Sequence, residues 1–154
     1  MKISEILKKD FIISDLTALD KPSAVSDLCH FLEKKGVIRN KEILIHALME
    51  REKLGSTGIG ENMAIPHAKS DEIDQIVIVF ARSLKGIDFE SLDQRPVHFI
   101  CLLLAPTDST GLHLKALARI ARLFKNISLR EKILKAHGSD SIYSILIEED
   151  SKIL

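Results

Sequence analysis

Chemistry concentrates in one stretch of the chain: Gly55-Ser56-Thr57-Gly58-Ile59-Gly60-Glu61-Asn62-Met63-Ala64-Ile65-Pro66-His67-Ala68-Lys69. Three glycines within six positions let backbone N–H groups turn inward around an anion. The short apolar run that follows stops at Pro66-His67, where the proline ring fixes φ and stiffens the approach to the histidine. A neutral imidazole keeps a lone pair on one ring nitrogen and is a nucleophile for a phosphoryl group. The phosphoryl oxygens then need cations or N–H donors around them. Carriage of a phosphoryl group on His67 is the chemistry this stretch predicts, with Gly58, Gly60 and Glu61 as its support.

Two further residues fit that chemistry. Arg51 lies just before the loop and offers a guanidinium fork suited to phosphate oxygens. The plainer alternative is an ordinary cation at a helix C-terminus. His113 falls in the first turns of a helix opened by Asp108-Ser109-Thr110, where free N–H groups and the helix dipole favour anions. Its plainer alternative is a surface helix residue. Glu61 has three readings: it orients His67 by accepting from the other ring nitrogen, it meets a partner protein, or it is a solvated loop carboxylate. Lys69 reads as a solvated charge near the site.

Other chemistries fail on spacing. The glycine run lacks the Gly-Lys-Ser/Thr ending of a nucleotide-binding loop. No His-Glu-x-x-His or Cys-x-x-Cys spacing occurs, and His67, His98 and His113 are too scattered to argue a zinc site, so no metal and no cofactor is expected. His30, His46, His98 and His137 are taken as structural or exposed. Cys29 and Cys101 are taken as buried thiols.

The composition narrows the class. The 154 residues carry 22 basic and 22 acidic side chains, so no basic field exists to hold a nucleic-acid backbone. The charged N-terminus lacks the apolar core of a signal peptide, and the longest apolar run, residues 99–105, is too short to span a bilayer. A cytoplasmic protein is expected, with no membrane insertion and one domain over residues 1–154.

The elements that must position the site are an alternation of helices and apolar strands. Asp20-Lys21-Pro22 opens a helix that Gly36 ends, with Val25, Leu28, Cys29 and Leu32 on one face. Asn40 caps a second helix over residues 40–53, with Ile43, Leu44, Ala47 and Leu48 inward. Residues 76–81 and 97–105 read as strands buried on both faces. Shorter strands are predicted at residues 63–66 and 87–89, the latter within a turn over Lys85 to Pro96 that holds Gly86, Asp93-Gln94 and Pro96. A helix capped by residues 108–110 runs to about residue 125, with Leu112, Leu117, Ile120 and Phe124 on one face. Two shorter helices, 129–136 and 142–147, lead to an acidic end, Glu148-Glu149-Asp150, predicted to be solvated. The fold predicted is α/β: a mixed, mostly five-stranded sheet with helices on both faces. If the strand ending at Pro106 neighbours the one leading to His67, both site histidines share one end of that sheet.

Arg51-Glu52-Lys53-Leu54-Gly55-Ser56-Thr57-Gly58-Ile59-Gly60, followed by Ala64-Ile65-Pro66-His67, resembles the active-site signature of the IIA components of the phosphoenolpyruvate-dependent sugar phosphotransferase system. The class is the fructose/mannitol (type 2) class, which includes the nitrogen-regulatory IIA proteins. His113-Leu114-Lys115-Ala116-Leu117-Ala118 is similar to that family's second-histidine helix. The resemblance covers nearly the whole chain. It implies that His67 receives phosphate on Nε2 from the phosphocarrier protein HPr or its nitrogen-branch counterpart and passes it to a cysteine of a IIB domain. It also implies that His113 assists transfer and that Arg51 lies at the phosphate site. Ala68 stands where the family often has glycine. Glu61-Asn62 looks more like the mannitol-type proteins, whereas residues 51–60 resemble the nitrogen branch. Transport and regulation therefore both stay open.

Overall fold

The computed structural model describes residues 1–153. Its spine is the antiparallel pair β5 (Val77–Ile87) and β6 (Val97–Pro106), with Phe80 opposite Cys101. Side chains alternate across a pleated strand, so these two runs feed two cores. Ile78, Phe80, Phe99, Cys101 and Leu103 point to one face, and Val79, Ala81, Ile100, Leu102 and Leu104 to the other. Helices α1 (Lys21–Lys34) and α2 (Lys41–Lys53) cover the second face. Helices α3 (Thr110–Leu123), α4 (Ile127–Lys135) and α5 (Ser139–Ser151) cover the first. Burial on both sides explains why both runs are apolar without interruption. Among the described residues, no helix is long and apolar enough to cross a membrane.

The sheet is mixed, as predicted, but has six strands. β1 (Ile12–Ile13) runs parallel to β5 at one edge. Along the other side of β6 run β3 (Met63–Ala64) and β4 (His67–Ser70), both parallel to it. β2 (Gly58–Gly60) pairs antiparallel with β3. The single strand predicted at residues 63–66 is thus two pieces of one line. Pro66 has no N–H to give a ladder, although its carbonyl still accepts from the Leu103 N–H at 2.9 Å. The turn predicted between Lys85 and Pro96 falls at Ser91–Gln94, where the Gln94 N–H donates to the Ser91 carbonyl at 2.9 Å, and Gly86 lies outside it. That glycine sits inside β5 at φ 91°, donates to Ser83 Oγ at 3.0 Å, and marks a bulge where the pairing with β6 shifts register. Residues 87–89 consequently form no strand of their own: Ile87 ends β5, and Asp88 makes one isolated bridge to Asp20.

The helix starts at 20 and 40 follow the sequence. Asp20 accepts from the Ser23 N–H at 2.9 Å, and Asn40 accepts from Glu42 and Ile43. α3 differs: Ser109 is its N-cap residue but makes no side-chain capping bond. Two side chains assigned to helix cores lie outside, Ile43 at 66% and Leu112 at 45% exposed, because α2 and α3 rest on the sheet along narrower stripes than the sequence periodicity marks. Cys29 and Cys101 are buried free thiols, and burial pushes the Cys29 thiol up to about 12 and that of Cys101 higher still, so neither is a thiolate at neutral pH.

Of the acidic C-terminal end predicted to be solvated, only Glu148 is exposed. Glu149 and Asp150 are buried on α5, which extends to Ser151 and packs against the N-terminal 3-10 turn at Ile3–Glu5. Glu149 accepts from Lys132 at 2.8 Å and Lys152 at 3.4 Å. The hydrogen bond from Lys132 holds its carboxyl below the ordinary 4.5. The unfolded chain therefore binds that proton more tightly than the fold does. The stabilisation is complete above the ordinary carboxylate range and disappears as pH falls through the lowered folded value. Replacing Lys132 with methionine is expected to move acid unfolding to higher pH, read by far-UV circular dichroism from pH 6 to 2. An unchanged acid midpoint would show the pair to be idle.

Candidate functional site

His67 opens β4, opposite Leu103 on β6 and directly after the break at Pro66. Its Nδ1 lies 2.9 Å from the Ile65 carbonyl oxygen. A carbonyl only accepts, so in the neutral ring Nδ1 carries the hydrogen and Nε2 keeps the free lone pair. The half-buried ring thus offers Nε2 as its nucleophilic atom.

His113 projects from the first turns of α3 onto that ring, with centroids 5.3 Å apart and planes at 78°. It is 7% exposed, and its Nε2 is buried without a hydrogen-bond partner. An orphaned buried nitrogen costs free energy, so its placement beside a nucleophile points to a group it serves during function. Burial, then the neighbouring His67, then Lys69, hold its pKa below the ordinary 6.5. It is therefore neutral at pH 7.

The two elements meet at a second point. His67 and Lys69 are two apart on β4 and share a face. Lys69 Nζ donates to Thr110 Oγ1 at 2.7 Å. Thr110 and His113, three apart, lie on one side of α3. Lys69 is exposed, as predicted for a solvated charge, but it also fastens the start of α3 to the strand that carries His67.

Arg51 reaches the same place from the end of α2. Its Nη1 donates to the Gly55 carbonyl at 2.9 Å, and with His67, Thr57, Ile59, Leu117 and Ala121 it lines an open cleft of about 350 Å³. Nη1 is committed to the loop, and the guanidinium has further N–H donors beyond that bond.

The glycine-rich loop does not form the predicted cradle. The Gly55 N–H donates to the Glu52 carbonyl at 3.1 Å, the Thr57 N–H to Glu52 Oε1 at 3.0 Å, and the Gly58 N–H to Ser56 Oγ at 3.1 Å. Two of these donors are committed to Glu52 in the last turn of α2 and one to Ser56 within the loop. The glycines serve shape instead. A Cβ on Gly58 would overlap the Ser91 side chain, and Gly60 adopts φ 90°, which suits residues without a Cβ.

Gly60 and Glu61 are not brought to His67. Both lie at the turn between β2 and β3, and Glu61 pairs with Arg130 at 3.1 Å. Met63 pairs with Phe99 and His67 with Leu103, four residues along β6, or roughly 13 Å at strand spacing. Glu61 lies beyond Met63 in the turn, and of its three readings the one that orients His67 fails, because the ring hydrogen goes to the Ile65 carbonyl. His98 is also remote in the register and holds its own bond, Nδ1 to the Ser83 carbonyl at 2.7 Å. His30, His46 and His137 are exposed. Among the described residues, no group of three or more His, Cys, Asp or Glu is placed to hold a metal ion.

The residue that sequence reasoning missed is Glu52. Its carboxylate is buried, paired with the buried Lys21 at 3.0 Å, and accepts from both the N–H and hydroxyl of Thr57. A signal existed: Glu52 continues the inward row Leu44, Leu48 at intervals of four, and Lys21 heads the inward row Ala24, Val25, Leu28. Opposite charges on two apolar stripes invite a buried pair.

Comparison with known proteins bears on the family and the fold. Residues 5–149 match the family described as "Phosphoenolpyruvate-dependent sugar phosphotransferase system, EIIA 2". A nitrogen regulatory protein of Bradyrhizobium diazoefficiens is 38% identical over 147 residues, covering 95% of each chain. The fructose-specific EIIABC component of Bacillus subtilis is 35% identical over 150 residues, which is 97% of this chain but only 24% of that longer protein. The crystal structure of nitrogen regulatory protein IIA-Ntr from Neisseria meningitidis superposes with a TM-score of 0.85 at 32% identity, covering 94% of this chain and 98% of that one. The predicted type-2 resemblance therefore holds along almost the full sequence, and the chain belongs to the EIIA 2 family of the phosphoenolpyruvate-dependent sugar phosphotransferase system.

Proposed function

We propose that this chain is a phosphocarrier that accepts a phosphoryl group on His67 Nε2 and passes it on. The observation that carries the proposal is the bond from His67 Nδ1 to the Ile65 carbonyl, which leaves Nε2 free beside the buried His113. The Nε2 lone pair attacks phosphorus of a donor phosphohistidine on HPr or its nitrogen-branch counterpart. The new P–N bond forms as the donor's P–N bond breaks, and the electron pair returns to the donor ring. His67 keeps its Nδ1 hydrogen throughout. In the second step a cysteine thiolate of a IIB domain takes the group, and the electron pair returns to Nε2. Arg51 and Lys69 supply positive charge near the transferred oxygens, and His113 Nε2, when it holds the ring hydrogen, gives them a donor. Positioning and electrostatics do most of the work, as in phosphoryl transfer generally.

A regulatory reading uses the same first step. Phosphorylation of His67 would add negative charge to the cleft and change which protein docks there. It is favoured by the match over 95% of both chains with a nitrogen regulatory protein. Incubation with phosphoenolpyruvate, enzyme I and HPr, followed by candidate IIB domains, tests both. Rapid loss of label to a IIB cysteine supports the carrier. Stable label with altered binding to a transporter or kinase supports regulation, and no label sinks both.

The lowered pKa of His113 gives a further expected result. In the free protein its ring should titrate below 6.5 by proton–nitrogen NMR, since burial and its neighbours disfavour the cation. A phosphoryl dianion on His67 reverses the local field and should raise that value. His113→Ala should still accept label but release it more slowly to IIB. An unmoved titration with unchanged release would remove His113 from the mechanism.

A further inference from the structure

Ile65 and Pro66 interrupt the line of strand that lies along β6. Within that interruption sits the carbonyl that decides which nitrogen of His67 is nucleophilic. Pro66 has no N–H, and neither residue has a ladder partner among the pairs to either side. The Ile65 N–H is instead held by the Thr57 carbonyl at 3.1 Å. Thr57 in turn gives its N–H to Glu52 Oε1 at 3.0 Å and its hydroxyl to Glu52 Oε2 at 2.5 Å. Glu52 is fixed by Lys21 Nζ at 3.0 Å, with both side chains within 5% of full burial. The contacts form one path: Lys21, Glu52, Thr57, Ile65, His67 Nδ1.

We propose that Glu52, held by Lys21, is a positioning residue for His67, acting through Thr57 and Ile65 to fix the ring hydrogen on Nδ1. This rests on the phosphocarrier reading above. A buried ion pair is a poor source of stability compared with apolar packing, because desolvation offsets most of the attraction. Here the carboxylate does something apolar packing cannot: it holds the N–H and the hydroxyl of one residue together. Thr57 is thereby clamped at two points, and its carbonyl is aimed at the one peptide N–H that sets the Ile65 segment. Loosening the clamp lets the Ile65 carbonyl drift from Nδ1. A ring released from that carbonyl is free to hold its hydrogen on either nitrogen, and rings with hydrogen on Nε2 have no lone pair where the phosphorus must arrive. The same glutamate follows Arg51 directly, so the end of α2 sets the wall of the cleft and the tautomer together.

The test reads the tautomer itself. Histidine-labelled protein is examined by long-range proton–nitrogen NMR above the ring's titration, in the wild type, Thr57→Val, Thr57→Ser and Glu52→Gln. Thr57→Val keeps the volume and the backbone N–H but drops the hydroxyl. Glu52→Gln keeps the shape but drops the charge, and a thermal transition shows which variants are folded. The wild type and Thr57→Ser should hold His67 as a single Nδ1–H form. Thr57→Val and folded Glu52→Gln should show mixed tautomers and take up phosphate from phospho-HPr about 10- to 100-fold more slowly. If Glu52→Gln does not fold, Thr57→Val decides. A pure Nδ1–H form with wild-type uptake in folded Thr57→Val overturns the proposal, and so does slower uptake with an unchanged tautomer. A wild type that takes no phosphate at all would instead remove the phosphocarrier reading, while the NMR result still judges the role of Glu52 in holding the ring.

Discussion

His67→Ala is expected to accept no phosphate from phosphoenolpyruvate, enzyme I and HPr, a loss to background rather than a reduction. Alanine has no atom that can form the P–N bond, and no other histidine is built to replace it. His98 stands well away along β6 with its Nδ1 bound to the Ser83 carbonyl. His113 is 7% exposed and cannot present a ring to a protein-sized donor. His30, His46 and His137 are exposed, but no buried partner fixes a tautomer and no apolar cleft surrounds them to dock a donor. The variant should keep its fold, because the side chain is only half-buried and the Leu103 N–H still reaches the Pro66 carbonyl. Its stability should change by about 1 kcal/mol or less. Acid-labile label in the wild type and none in a folded His67→Ala is the expected pair of results. Label that persists on the folded variant would place the phosphate elsewhere and end the case for His67.

The parts of this site that the sequence reveals are those decided locally. Asp20 and Asn40 cap helices within three residues of themselves, and their bonds form as the chain order implies. The two apolar runs become the central pair because only a doubly covered strand tolerates such composition. His67 follows from Pro66 and its neighbours, and His113 from its place early in a helix. What the sequence hides is where polar groups spend their hydrogen bonds. The glycine run looks like an anion cradle until the Thr57 and Gly58 N–H groups prove to be committed to Glu52 and Ser56. Glu61 looks like a neighbour of His67 because it is six residues away, but it sits in the turn before Met63, and the run from Met63 to His67 then travels four residues along β6. Glu52 looks like surface charge between Arg51 and Lys53 until Lys21, far back in the chain, is packed against it. For Glu61 and Glu52 the deciding partner, Arg130 or Lys21, comes from a distant element, and no local pattern encodes its arrival.

The acidic end is the sharpest instance, and it carries the second large expected effect. Asp150→Ala should destabilise the fold by about 3 to 5 kcal/mol, the cost of removing one partner of a buried pair. Asp150 is 1% exposed. One carboxylate oxygen accepts from Arg119 Nε at 2.7 Å and the other from the Ile3 N–H at 2.8 Å. Alanine would leave the buried Ile3 N–H without its acceptor and would take the carboxylate from Arg119, whose side chain is 14% exposed and whose Nη2 keeps its bond to the residue 150 backbone carbonyl. For a chain of this length that loss corresponds to a fall in Tm of roughly 10 °C. Asp150→Asn, which keeps an acceptor for one of the two donors, should cost less. Denaturant titration of the two variants separates this from a surface effect: a change below about 1 kcal/mol in the alanine variant would class the pair with exposed salt bridges. The consequence reaches the site through α3, which carries both Arg119 and, six residues earlier, His113. The carboxylate that ties α5 and the N-terminal turn to Arg119 therefore also anchors the helix that holds the second histidine over the first.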